Sequence, residues 1–184
     1  MYNISRPLTT LLFTSLMLFM QACLTIPKYK KSAIKPINDS RLLEGTYSNF
    51  NNNGINHRTA FQLINWKANK INNADTTNFS TFNIRILNDR TLSFNFSNSL
   101  GRTETKKVKF RVQDNGFFIL RNHNFRLIGI PYILGYYDIK KMEIGLTEKN
   151  ELIINGVEKG EGAILIVLGS GYPKTNFSLT YEKK

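Results

Sequence analysis

The side chains able to make or break bonds are few and stand apart. The 184 residues hold two histidines, His57 and His123, and one cysteine, Cys23. A hydrolytic site needs a nucleophile, a base and a group that orients the base. Each histidine stands in a polar, Asn-rich stretch with no such partner beside it, so both read as surface loop residues. A single cysteine excludes a disulfide within the chain. The carboxylates are scattered: Glu143, Glu148 and Glu151 surround one predicted hairpin, and Glu158 and Glu161 the next. This suits surface decoration, and the first three lack the spacing of a calcium loop. Gly169-Ser170-Gly171 has the glycines of a phosphate-cradling turn, but no helix or lysine follows in register, which leaves a hairpin turn. No catalytic, metal-ligand or cofactor set assembles. The chain therefore reads as non-enzymatic, with no metal and no cofactor.

Two other constellations could bind rather than react. Lys107, Lys109 and Arg111 alternate with Val108, Phe110 and Val112, which gives a strand apolar on one face and cationic on the other. At about 3.3 Å per residue its successive cations stand roughly 6.6 Å apart, a spacing that can follow an extended polyanion. Such a face also discourages edge pairing, and an Asn- and Lys-rich composition produces basic faces without a partner, so these readings stand side by side. The second constellation is aromatic: Tyr47, Phe82, Phe94, Phe96, Phe110 and Phe118 occupy predicted inward positions. A small barrel either fills with side chains or holds one small ligand, and these six are the candidate cavity lining or the candidate core.

The elements that must position these residues are mostly strands. A first strand runs through Tyr47, and the Asn-rich turn at residues 51–54 follows it. Ala60, Phe61, Leu63 and Ile64 recur at three- and four-residue spacing, which predicts one short helix between His57 and Trp66, with Arg58 and Gln62 facing solvent. From Thr81 the period changes to two: Phe82, Ile84 and Ile86, then Leu92, Phe94 and Phe96, with a tight loop at Asn88-Asp89-Arg90. Asp114-Asn115-Gly116 predicts a two-residue hairpin turn after the basic strand. Further strands are expected at residues 125–128, 141–147, 151–155, 163–168 and 176–182, with turns at residues 156–162 and 169–173. Such short connections join only antiparallel neighbours, because a parallel crossover needs a dozen or more residues. The fold class is thus mainly β, an antiparallel up-and-down meander of about eight to ten strands closed as a barrel, with a β-sandwich as the alternative.

Ahead of all this, eight of the ten residues 11–20 are apolar, preceded by Arg6 and followed by Ala22 and Cys23. The run is shorter than the roughly 20 apolar residues that cross a bilayer, so it reads as the core of an export signal. Met20-Gln21-Ala22-Cys23 resembles the lipobox of bacterial membrane lipoproteins. The resemblance implies cleavage between Ala22 and Cys23, a lipid thioether on Cys23, acylation of the new amino terminus and loss of residues 1–22. Leu24 stands where an aspartate commonly retains such proteins at the inner membrane. The resemblance therefore implies an outer-membrane lipoprotein facing the periplasm, its first residues lacking the acidic run of surface-exposed members. Residues 23–42, with Pro27, Pro36 and five cations, read as a flexible basic tether, and residues 43–184 as one domain. The formal charge of +12 invites a nucleic-acid partner, but the envelope address replaces it with anionic lipid or an anionic envelope polymer.

Gly45-Thr46-Tyr47, followed by a short helix and consecutive hairpins, resembles the opening of lipocalins and the wider calycin group. There the first strand carries Gly-x-Trp, and an Arg near the last strand packs over the ring. Tyr stands for Trp here, and no Arg follows Arg126. The resemblance implies a lipocalin-like barrel. Together these readings lead to the expectation of a non-enzymatic envelope lipoprotein that binds a small apolar or lipidic molecule or serves as an envelope accessory. The alternative is a module that meets an anionic polymer or partner protein through its basic strand.

Overall fold

The computed structural model of the chain describes residues 26, 34–37, 39–52, 58–65, 79–113, 116–121, 125–130, 134–164 and 168–184. Ala22, Cys23, His57 and His123 lie outside them. The strands are β1 (Ile34–Lys35), β2 (Gly45–Ser48), β3 (Thr81–Asn88), β4 (Thr91–Ser97), β5 (Thr103–Val112) and β6 (Phe118–Arg121), then β7 (Phe125–Ile130), β8 (Leu134–Thr147), β9 (Leu152–Ile164) and β10 (Leu168–Tyr181). A 3-10 turn, Ser40–Leu43, precedes β2, and one helix, α1 (Ala60–Ile64), follows it. All ten strands form one antiparallel sheet in the order β10-β9-β8-β6-β5-β4-β3-β2, with β1 and β7 also paired to β8.

The two ends of that order meet. Ser48 N–H donates to the Glu182 carbonyl at 2.8 Å, Lys184 N–H donates to the Thr46 carbonyl at 2.8 Å, and Tyr47 bridges Lys183. A single curled sheet whose first and last strands touch is barrel-like, as the meander pattern requires, and not two stacked sheets.

Alternation builds the inside. Phe82 and Ile84, Leu92, Phe94 and Phe96, Val108 and Phe110, Met142 and Ile144, and Leu152 and Ile154 recur at every second position, and all are buried in one core. α1 is only five residues long, yet Ala60, Phe61, Leu63 and Ile64 are all buried. Its start is held by a capping box, in which Gln62 N–H donates to Thr59 Oγ1 and Thr59 N–H donates to Gln62 Oε1. Buried Asn49 completes the entry: its side chain donates to the Phe79 carbonyl at 2.8 Å and accepts from Phe61 N–H at 2.9 Å.

Three expectations need correction. The stretch read as a tether is partly packed: β1 pairs with β8 at Thr147 and Leu146, and Ile37 lies in the main core. Apolar Ile34 and Ile37 gain more by burial than the surrounding lysines lose, and Lys35 keeps its ammonium outside on Asn150 Oδ1. The loop after β5 has three residues, closed by Gln113 N–H on the Phe117 carbonyl, with Gly116 at φ +82°. A glycine in the left-handed region is what a three-residue hairpin loop demands.

Third, residues 156–162 and 169–173 are not turns. They lie inside the long strands β9 and β10, where the sequence had suggested three shorter ones. The glycines mark close packing: a Cβ on Gly156 would collide with the Phe177 ring and the Lys141 carbonyl. Gly156→Ala is expected to lower the stability by about 2 kcal/mol through overpacking, read as an earlier denaturant midpoint.

The length of β8 shapes the molecule. One edge pairs with β9 throughout, while the other is shared end to end by β7 at residues 134–139, β6 at residues 142–144 and β1 at residues 146–147. Residues 134–139 of β8, with β7 and the adjoining parts of β9 and β10, form a four-stranded end of the sheet, the flap.

Candidate functional site

The six aromatic residues that could have lined a cavity are core instead. Tyr47, Phe82, Phe94, Phe96, Phe110 and Phe118 are each 3 % exposed or less. Ring centroids stand 5.6 Å apart for Tyr47 and Phe82, 5.4 Å for Phe82 and Phe96, and 5.7 Å for Phe110 and Phe118. Phe61 from α1 closes on Phe79 and Phe96 at 4.7 and 5.0 Å. Aromatic side chains at these separations are in contact, so at this level the interior is occupied by the rings themselves. The Tyr47 hydroxyl donates to the Leu43 carbonyl, and burial pushes its pKa up to about 12.

A cation does cover the Tyr47 ring, although the sequence seemed to offer none. Lys183 Nζ stands 5.7 Å from the ring centroid and donates to the Glu44 carbonyl at 3.0 Å, while its stem packs on Gly45, whose φ is +146°. No arginine follows Arg126, and the cation over this ring is a lysine beyond the last strand.

The open cleft lies further along the inner face. The register pairs Lys140 with Glu158, two positions beyond Met142 and Gly156. Both belong to the inward set, Lys140 at 2 % and Glu158 at 8 % exposure. Arg58, just before α1, forms an ion pair with Glu158, and both Arg58 and Lys140 stand over the Phe177 ring, at 5.8 and 5.5 Å. With Gln62 and Leu63 these residues line a cavity of about 180 Å³. At roughly 30 Å³ per water that is space for about six waters or a headgroup-sized ligand, below the ~300 Å³ at which drug-sized pockets begin. Loss of solvation lowers the Lys140 pKa to about 8; Glu158 opposes this, Arg58 adds to it and Asp138 opposes it again.

This cluster was missed because residues 156–162 read as a turn, which interrupts the alternation. Continuing the period from Ile154 through Gly156 to Glu158, and from Met142 to Lys140, identifies both residues. Arg58 and Gln62, expected toward solvent, are both half-exposed and also line the cleft, Gln62 from α1 and Arg58 from just before it.

Glu143 also departs from surface decoration. It is 6 % exposed, accepts from Asn155 at 3.3 Å and from Gln113 at 3.2 Å, and burial raises its pKa against those two bonds. It falls at the alternate position to Ile144 and so belongs to the outer side, whereas Glu158 belongs to the inner. The two buried carboxylates cannot face one substrate, as a glycosidase pair must. Among the described residues no group of three His, Cys, Asp or Glu side chains could hold a metal ion.

On the outer surface Lys107, Lys109 and Arg111 are all exposed, alternating with buried Val108 and Phe110. The register widens this strip into a patch. Lys107 pairs with Ser93, which pairs in turn with Arg85, and Lys109 pairs with Arg121. Arg85 and Arg121 are likewise exposed, and none of the five cations forms an ion pair among the described residues. Lys109 is paired on both sides, with Thr91 and Arg121, so edge defence does not account for that lysine. No protein-family model, curated protein or solved structure matches the chain.

Proposed function

We propose that this chain is a non-enzymatic lipoprotein of the cell envelope, anchored through Cys23 to the outer membrane on its periplasmic side, whose barrel carries a basic outer face for an anionic envelope polymer. The observation that carries this reading is the patch of Arg85, Lys107, Lys109, Arg111 and Arg121, five exposed cations on neighbouring strands that form no ion pair among the described residues. Neighbouring strands lie about 4.8 Å apart and alternate residues about 6.6 Å, so the patch is a two-dimensional array that an extended polyanion can follow in more than one direction. An unpaired array of this kind leaves favourable Coulomb energy unclaimed until a partner arrives.

Replacing Lys107, Lys109 and Arg111 together by Gln tests it. With each cation contributing about 1 kcal/mol beside an anionic surface, affinity of the detergent-solubilised chain for a soluble anionic polysaccharide should fall roughly 100-fold. The salt dependence of the residual binding should flatten, while thermal stability stays nearly unchanged because exposed charges contribute little. Equal binding by wild type and triple variant would remove the patch from consideration.

The Arg58–Lys140–Glu158 cleft favours a second reading, in which the anionic headgroup of a small lipidic ligand is held at the Lys140 ammonium. The cavity of about 180 Å³ admits the headgroup and not a whole acyl chain, so the aromatic core plays no part in this version.

A further inference from the structure

We infer that the free end of the flap formed by β7, β8, β9 and β10 is a second membrane contact, which enters the headgroup region of the bilayer that holds the lipid anchor. No charged residue occurs between Leu127 and Tyr137 or between Gly162 and Pro173. The topology gathers both stretches at one place: Ile130 pairs with Leu134, Leu134 with Ile164, and Ile164 with Leu168. The next row is Gly129, Gly135, Ala163 and Gly169, followed by Ile128, Tyr136, Gly162 and Ser170. These rows lack charge at both alternate positions, so neither side of the flap is coded for water. A sheet that docks on a protein needs only one apolar side.

The depth follows from two features. Among the described residues the outer edges of β7 and β10 at the free end have no strand partner, and open edges are not tolerated in hydrocarbon, which limits entry to the interface, about 5–10 Å. Tyr136 lies two rows from Leu134, about 7 Å, with Tyr137 in the row behind it and Tyr172 level with Asp138. Tyrosine is the residue type enriched at headgroup level. The charged positions begin at the Tyr137 row, where, leaving aside the buried Lys140 and Glu158, Arg126, Lys141, Lys159 and Lys174 outnumber Asp138 and Glu161. That excess complements an anionic leaflet.

Chain length permits both contacts at once, a point that rests on the anchor reading. β1 pairs at Thr147, thirteen residues along β8 from Leu134 and so about 43 Å from the free end. With the tip sunk about 7 Å, Ile34 stands at most about 36 Å above the bilayer, and less with any tilt. The eleven residues 23–33 reach up to about 37 Å.

The test uses the full chain, processed by the cell and reconstituted in phosphatidylethanolamine–phosphatidylglycerol vesicles. With Trp66→Phe as background, single tryptophans are placed by Leu134→Trp, by Leu168→Trp and, as reference at the opposite end of β8, by Lys149→Trp. Tryptophan at 134 and at 168 should emit at shorter wavelength and be quenched by lipids brominated on the acyl chains, while tryptophan at 149 does neither. Water-like emission without quenching at both flap positions overturns the inference. So does a blue shift that ignores bromolipid and accompanies cross-linked dimers, which would make a second copy the occupant. Fatty-acid labelling of the wild type, lost in Cys23→Ser, judges the anchor separately: labelling without quenching sinks the flap contact alone, and absent labelling sinks the anchor.

Discussion

Replacing Glu158 by Gln costs the fold about 4 kcal/mol, and a large part of that loss returns when Lys140→Met is added to the same chain. Glu158 is the carboxylate shared by the Arg58 guanidinium and the Lys140 ammonium. Arg58, with its side chain 41 % exposed, can turn to water once the carboxylate is gone. Lys140 at 2 % exposure cannot, and keeps its buried charge after losing Glu158, the larger of the two carboxylate influences that oppose its desolvation. Methionine matches its stem and removes the charge, hence the recovery in the double variant. Denaturant titrations of the four chains measure it, and additive effects of the two substitutions would exclude the coupling.

The same lysine gives a pH signature. Lys140 holds its proton with a pKa of about 8 in the fold, against 10.5 in the unfolded chain. Between those values the unfolded state binds more protons, so stability rises with pH. Below pH 8 both states are protonated and the folded state carries the whole penalty. By pH 10 the gain is roughly 2 kcal/mol at about 1.4 kcal/mol per pH unit. Above pH 10 the sign reverses, because burial makes Tyr47 and Tyr181 keep protons that the unfolded chain releases. Wild type should therefore peak near pH 10. Lys140→Met should show no rise.

Phe82→Ala should be as damaging, at about 4 kcal/mol. Phe82 is fully buried, and its ring meets Tyr47, Phe94, Phe96 and Tyr181 at 5.4 to 6.1 Å. A cavity here removes contacts from four large side chains anchored on three other strands, β2, β4 and β10, so the site cannot collapse from one side. A loss of that size is a large share of the roughly 5–15 kcal/mol that holds a domain together, and should lower Tm by about 10 °C. Phe50→Ala, at a position 50 % exposed, is the matched control. Similar shifts for the two would mean that Phe82 is not a packing centre.

What could be read in advance divides along a physical line. Where one face of a strand is apolar and the other polar, as at residues 82–96 and 107–112, alternation alone placed the aromatic residues inside and the cations outside. Where a buried charge or a glycine replaces the apolar residue, the pattern is broken on paper but continuous in space. Gly156 and Glu158 show this: glycine looked like a turn because its reason for being there is the Phe177 ring across the sheet, a contact that only folding creates. Lys140 was illegible for a related reason, since its cost of burial is met by Glu158 and Phe177 from two other strands. Lys183 over Tyr47 was hidden by chemistry, because an ammonium and a guanidinium can cover the same ring. The packing of Ile34 and Ile37 was hidden by their lysine neighbours, which keep their charges outward while the isoleucines turn in.

The bridge between Tyr47 and Lys183 bears on how the molecule is made. Contacts between residues so far apart in sequence cannot form until the ribosome has released nearly the whole chain, and sheets dominated by such distant pairings fold slowly. β8 adds to the delay, since β1 must wait for it and its other edge waits in turn for β9. On the proposed lipoprotein reading, the chain is threaded through a membrane before it folds. A barrel that closes only when Tyr47 meets Lys183 stays unclosed until its last residues are made, which on that reading keeps it threadable.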